Sequence, residues 1–177
     1  RSNKLLQILD KFSTTYHSIY ENLNYDCENN GELFLLNKLN HSNNLCCIFD
    51  VGANIGTYSL LARDINKKCS IFAFEPVPET FIHLQENVSN KDIKIFNYAL
   101  GSDIREEKML VSKDSKLSTL LLDNSHLVNK DDVKYVSVKI KTGDNFFKNN
   151  YDLSQISLLK IDTGGYESEV LKGFRQI

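Results

Sequence analysis

Phe49-Asp50-Val51-Gly52-Ala53-Asn54-Ile55-Gly56 follows the apolar run Leu45-Cys46-Cys47-Ile48-Phe49 and leads into Thr57-Tyr58-Ser59-Leu60-Leu61-Ala62. The pattern predicts a strand, a tight glycine turn and a helix start, a concave corner where a ligand would sit against main-chain N–H groups. A second apolar strand, Ile71-Phe72-Ala73-Phe74, ends on Glu75, nineteen residues after Gly56. An acid about 20 residues beyond the glycines is where a nucleotide-binding βαβ unit grips a ribose. Corner and acid together point to a nucleoside-containing ligand; a purely structural strand-to-helix turn is the alternative.

The glycine spacing narrows the ligand. A dinucleotide site needs G-x-G-x-x-G, with its second glycine against a pyrophosphate. Here Asn54 stands at that second glycine, and no G-x-x-x-x-G-K-[ST] phosphate loop occurs. Asp50 beside the turn would repel a pyrophosphate but suit a cationic amino-acid moiety. S-adenosylmethionine meets these terms, with an ammonium, a sulfonium, a ribose and no phosphate.

Strand-helix-strand continues outward from this unit. Pro78 is placed for the first turn of a helix carrying Phe81, Leu84 and Val88 on one face, with His83 off the stripe and solvated. Ile93 to Asn97 reads as a third strand, giving an α/β, Rossmann-like fold with a mostly parallel sheet, helices on both faces and right-handed crossovers. The strand ends would gather Asp50, Glu75 and Asn97 around one crevice. Lys108–Ser112, Ser118–Leu122 and Val133–Lys141 then read as short strands without helices between them, a β-insertion appended to that sheet. In the last of these, Val136, Val138 and Ile140 alternate with Ser137, Lys139 and Lys141, as in a half-buried strand. It would shape an acceptor pocket or extend an edge. Ile156 to Asp162 is another strand ending on an acid, followed by Thr163-Gly164-Gly165 and a helix from Tyr166 to Phe174 carrying Val170, Leu171 and Phe174. Asp162 would join the same rim, unless it serves only as a turn or N-cap carboxylate.

Upstream, Leu5, Leu9, Phe12, Tyr16 and Ile19 mark an amphipathic helix over Lys4–Leu23, read as cover for the domain rather than as a cap over the site or a dimer surface. A second helical run covers Glu32–Leu39. Residues 1–44 are therefore expected to be a helical segment packed on a domain of residues 45–177.

Composition sets outer limits. At 177 residues with a formal charge of −2, the chain shows no basic footprint for nucleic acid or anionic membranes. No apolar run reaches the ~20 residues that span a bilayer, and no signal-peptide pattern precedes the helix. The four cysteines lack metal-ligand spacing, so no metal site or disulfide framework is expected and a reduced, cytoplasmic protein is the simplest reading.

Four anchors in order give the chain a resemblance to the FkbM-like methyltransferase family. They are Phe49 to Gly56, Phe74-Glu75-Pro76, Asn97-Tyr98-Ala99-Leu100, and Leu159-Lys160-Ile161-Asp162-Thr163-Gly164-Gly165-Tyr166-Glu167. The resemblance spans about Gly31 to Phe174. It implies methyl transfer from S-adenosylmethionine to a hydroxyl of a sugar or secondary metabolite. It also implies that Asp50, Gly52, Ala53, Asn54 and Gly56 line the amino-acid end of the cofactor. Glu75 would hold the ribose hydroxyls, Asn97 and Ala99 would border the adenine, and Asp162 would face the methyl or the acceptor as the candidate catalytic base. Gly164 departs from the family pattern, which carries Glu or Gln there. That departure motivates the rival reading, a methyltransferase-fold domain that binds or scaffolds without turnover; an NAD-dependent oxidoreductase is disfavoured by the glycine spacing. The chain stops at Ile177 just after a helix, where family members continue through further strands, so the domain is expected to be C-terminally incomplete.

Overall fold

The computed structural model describes residues 30–112, 133–149 and 155–176, together with Lys4, Ile8, Leu9, Phe12, Ser13, Thr15 and Tyr16. Cys27, the expected strand over Ser118–Leu122, and Leu5 and Ile19 of the N-terminal stripe lie outside the described residues. Residues 1–38 and 39–177 form two compact units. In the first, the described members of the stripe are helical, and Leu9, Phe12 and Tyr16 are exposed. Helix α1 (Glu32–His41) begins after Asn30, whose side chain accepts the Glu32 N–H in the manner of an N-cap.

The second unit holds β1 (Cys47–Val51), α2 (Thr57–Ile65), β2 (Ser70–Phe74), α3 (Pro78–Asn87), β3 (Lys94–Phe96), β4 (Ala99–Leu100) and β5 (Arg105–Ser112). It continues through β6 (Val133–Lys141), α4 (Gly143–Lys148), β7 (Leu158–Ile161) and α5 (Glu167–Lys172). One sheet has the order β3-β2-β1-β7 and is parallel throughout. Its central strand, β1, is buried along its whole length, as a strand covered on both faces must be.

Alternation along the strands sorts the two faces. Phe49, Phe72, Phe74 and Phe96 share one face, and Phe146 of α4 sets its ring edge-on against all four at centroid distances of 5.0 to 5.6 Å. Val170 of α5 and Phe174 close the same core. On the opposite face, Ala73 packs with Leu84 and Val88 from the α3 side and with Leu60 of α2. Helices therefore cover both faces, as expected.

Two expectations are corrected. The β-insertion does not extend the parallel sheet. β4, β6 and β5 form a separate three-stranded sheet, β4 parallel and β5 antiparallel to β6. Its Met109, Val111, Val138 and Ile140 enter the phenylalanine core, so apolar alternation in β6 buries against that face rather than lengthening an edge. Leu171, assigned to the buried stripe of the last helix, is exposed, whereas Val170 is fully buried. A helix of only six residues presents one turn and a half, too little for three inward positions. Helix α4 carries no expectation from the sequence, because six residues are too few to show a period; its start is fixed by Thr142, whose hydroxyl accepts the Asn145 N–H.

The phenylalanine core yields a first test. Phe146→Ala should lower the unfolding free energy in urea by about 3–5 kcal/mol, while Leu171→Ala should change it by no more than about 0.5 kcal/mol. Similar losses in both variants would contradict the packing described.

Candidate cofactor-binding site

The corner after β1 is shaped by backbone that only small residues tolerate. Gly52 has φ +78°, and a Cβ there would lie 1.9 Å from the carbonyl oxygen of Asp162. Gly56 has φ +90°, and its Cβ would meet Leu84 Cδ1 at 2.7 Å. Asn54, at φ +50°, takes the left-handed conformation that Asn adopts more readily than other side chains.

The amides of this corner are already engaged. The N–H groups of Gly52 and Ala53 both donate to Phe74 O at 3.0 Å, Asn54 N–H donates to Glu75 Oε2 at 3.0 Å, and Gly56 N–H to Ala53 O at 2.8 Å. The expectation of a ligand lying against these N–H groups is thus corrected: those of Gly52, Ala53 and Asn54 stitch the corner to the end of β2, and that of Gly56 closes the turn on itself. What the corner leaves without a partner is an acceptor, the buried Oδ1 of Asn54.

Glu75 is the hub of that stitching. Only 6% exposed, it accepts Asn54 N–H on one carboxylate oxygen and Val77 N–H on the other, at 3.0 and 2.9 Å. Asn97 lies just past β3, and its Nδ2 donates to the carbonyls of Glu75 and Pro76, at 2.9 and 3.1 Å. Burial raises the Glu75 carboxyl from its ordinary 4.5 to about 7, and the Asp50 charge adds to this; the two N–H bonds and the Lys160 ammonium oppose it. A carboxylate has about four lone-pair sites, so two N–H bonds leave capacity for ribose hydroxyls. Ala99 sits in β4, buried in the phenylalanine core.

Asp50 is fully buried within β1. Its Oδ2 accepts the Ser59 hydroxyl at 2.7 Å, and its Oδ1 lies 3.1 Å from Lys160 Nζ in an ion pair, without an aligned hydrogen bond. The neighbouring strands make this pair, because Asp50 and Lys160 are register partners in β1 and β7. Lys160 Nζ also donates to Gly52 O at 3.2 Å and lies 3.8 Å from Asp162 Oδ2. Asp162 follows β7 with its N–H on Val51 O at 3.0 Å and its side chain 77% exposed. The structure therefore brings Asp50, Gly52, Asn54, Glu75 and Asp162 together at one end of the parallel sheet, with Asn97 bracing Glu75 from behind.

Beyond Asp162, Gly164 and Gly165 have φ of +63° and +101°. Glu167 Oε1 accepts Thr163 N–H, Thr163 Oγ1–H and Gly165 N–H at 3.0 to 3.1 Å. Burial pushes the Glu167 carboxyl upward, but these bonds outweigh it and hold it below its ordinary range. Tyr166 is buried and accepts from Arg105 Nη2 at 2.6 Å, tying this loop to β5.

Three members of the site were not singled out from sequence: Lys160, Ser59 and Glu167. Lys160 had a readable signal, since a lysine inside the apolar strand Leu158-Leu159-Lys160-Ile161 beside a strand containing Asp50 calls for pairing. Ser59 and Glu167 had none beyond ordinary helix residues. Chemically, the corner offers unfilled acceptors and engaged donors. That suits a ligand bearing a cation and hydroxyls, and it does not suit a pyrophosphate, which needs free N–H groups.

A family model described as the methyltransferase FkbM domain matches residues 50–177. The chain is 30% identical over 131 residues to the hexuronic acid methyltransferase AglP of Haloferax volcanii, covering 71% of this chain and 48% of that protein. It is 27% identical over 142 residues to methyltransferase 1 of Beauveria bassiana, covering 71% of this chain and 57% of that protein. The chain thus spans about half the length of these relatives. A crystal structure of methyltransferase FkbM from Methylobacillus flagellatus is 17% identical, with a TM-score of 0.48 over 75% of this chain and 30% of that one. Among the described residues, no helix is long and apolar enough to cross a membrane.

Glu75 supplies the test of this geometry. Its carboxyl holds a proton more tightly folded than unfolded, so the stability it contributes is complete below pH 4.5 and is lost as pH rises through about 7. The unfolding free energy of the wild type relative to Glu75→Gln should fall by about 3 kcal/mol between pH 4.5 and 8. A difference that stays flat across this range would mean that the carboxyl ionises at its ordinary value.

Proposed function

The chain belongs to the FkbM methyltransferase family, and from that premise we propose that it transfers a methyl group from S-adenosylmethionine to a hydroxyl of a sugar or secondary metabolite. The observation that carries the cofactor assignment is the acceptor-rich corner: Asn54 Oδ1 unpartnered, the Gly52, Ala53, Asn54 and Gly56 amides engaged, and Glu75 beneath them. A sugar acceptor is supported by the relative from Haloferax volcanii, described as a hexuronic acid methyltransferase.

When bound, S-adenosylmethionine supplies a methyl carbon activated by its positive sulfur. The chain's own residues then have separate tasks. Glu75, on its remaining lone pairs, accepts from the ribose hydroxyls. Gly52 O and Asn54 Oδ1 face the amino-acid end as acceptors. Asp50 does its work at one remove, buried between Ser59 and Lys160, and so shapes the corner without touching the ligand. Asn97 fixes the Glu75–Pro76 turn and borders the adenine from there. Asp162, exposed on the rim, would take the proton that the acceptor hydroxyl gives up. Such a base contributes about 10²–10⁴-fold, and alignment of acceptor and methyl supplies much of the remainder.

Calorimetric titration with S-adenosylhomocysteine tests the cofactor. Binding should be measurable and should strengthen by roughly tenfold as pH rises through about 7, where Glu75 becomes a full acceptor. A folded sample that binds neither S-adenosylhomocysteine nor S-adenosylmethionine would overturn the assignment. Asp162→Asn should lower turnover by about 10²-fold or more with S-adenosylhomocysteine affinity unchanged; equal losses would make Asp162 a cofactor ligand instead. Tight binding with no methylation across hydroxylated acceptors would favour a binding module.

A further inference from the structure

We propose that Lys160 is a positioning residue for this site, fixing the Gly52 carbonyl that meets the amino-acid end of the cofactor and its spacing from Asp162 on the rim; the inference rests on the methyltransferase reading. Its side chain leaves the middle of β7, where Lys160 is the register partner of Asp50, and is only 16% exposed. The ammonium ends among three acceptors: Asp50 Oδ1 at 3.1 Å, Gly52 O at 3.2 Å and Asp162 Oδ2 at 3.8 Å. It also lies 5.6 Å from the ring centroid of Tyr58 on α2.

Charge and geometry assign the role. Asp50 is fully buried and needs a cation, which Lys160 supplies. With that pair neutralised, Asp162 stands 77% exposed on the rim, left open toward the acceptor. The carbonyl of Gly52 has two lone pairs, so the bond from Lys160 fixes it and leaves one for an ammonium. The N–H of Asp162 bonds Val51 O, and the same ammonium that bonds Gly52 O reaches the Asp162 carboxylate. Corner and rim are thereby held at one spacing. If Lys160 did no more than neutralise Asp50, removing both charges would leave the site intact. A positioning role predicts that it would not.

The experiment uses Lys160→Met, the double variant Asp50→Asn/Lys160→Met, and Lys160→Arg, titrated with S-adenosylhomocysteine and with 5′-methylthioadenosine, which lacks the amino-acid portion. Lys160→Met should unfold at lower urea, and the double variant should recover the wild-type midpoint. The recovered double variant should bind S-adenosylhomocysteine at least tenfold more weakly, with 5′-methylthioadenosine affinity changed less than twofold. Lys160→Arg keeps the charge beside Asp50 but places a planar fork where a point donor stood. It should fold and show the same selective loss, which keeps the test decisive if the double variant does not fold. Unchanged or tighter S-adenosylhomocysteine binding, or equal loss of both ligands, would overturn the inference while leaving the cofactor assignment standing. Failure of the wild type itself to bind S-adenosylhomocysteine would overturn the cofactor assignment, and this inference with it.

Discussion

At Gly52 there is room for a hydrogen and nothing more, because a Cβ would sit 1.9 Å from the carbonyl oxygen of Asp162. That contact joins the turn after β1 to the loop after β7, two segments more than a hundred residues apart in the chain. The parallel pairing of β1 with β7 runs from Ile48↔Leu158 to Val51↔Ile161, and the Asp162 N–H continues it onto Val51 O. Of the two acceptors proposed for the amino-acid end of the cofactor, Gly52 O lies on this seam and Asn54 Oδ1 two residues beyond it. A larger residue at position 52 would push the seam apart and carry Asp162 away from the corner. The left-handed backbone at the same position adds a conformational cost to the steric one.

The seam also contains a charge pair that folding alone does not require. Asp50 and Lys160 sit in otherwise apolar strands, and a buried ion pair is often no more stable than apolar residues of similar size. Ser59 completes one side of the pair and the Gly52 carbonyl the other. Such an arrangement costs desolvation of two ions, and the corner gains a fixed ammonium behind its carbonyl. Glu75 repeats the theme on the other side: a buried carboxylate stitched to backbone N–H groups, at a burial cost that raises its pKa to about 7. Both acids are held against solvation, which is how binding sites differ from ordinary turns.

The parallel sheet was legible because its information is local. Apolar runs such as Ile71–Phe74, glycines at the turn, and acids at strand ends need only neighbours in sequence to be read. The candidate site was legible to the extent that strand ends share a rim, so Gly52, Asn54, Glu75 and Asp162 come together as expected. What escaped depended on distance. The separate sheet of β4, β5 and β6 could not be told from an edge extension, since alternation in Val136, Val138 and Ile140 is the same in either case. The engagement of the corner amides by Phe74 O and Glu75 was invisible because it is set by how closely β1 and β2 approach. Leu171 went astray for a related reason: which way a residue near a helix end faces is decided by packing partners far along the chain.

The two halves of the rim are built differently. The cofactor half is made of buried acids and backbone contacts, where Gly52, Gly56 and Glu75 each have neighbours within bonding or clashing distance. Substitution there disturbs the fold. On the acceptor half, Asp162, Gly164 and Gly165 are exposed, and the loop keeps its shape through the Glu167 carboxylate gripping Thr163 and Gly165. Gly164 presents no side chain on this half of the rim. At Gly52 and Gly56 an added Cβ would meet neighbours at 1.9 and 2.7 Å, so the corner is fixed by sterics, whereas the exposed turn is fixed by its hydrogen bonds to Glu167.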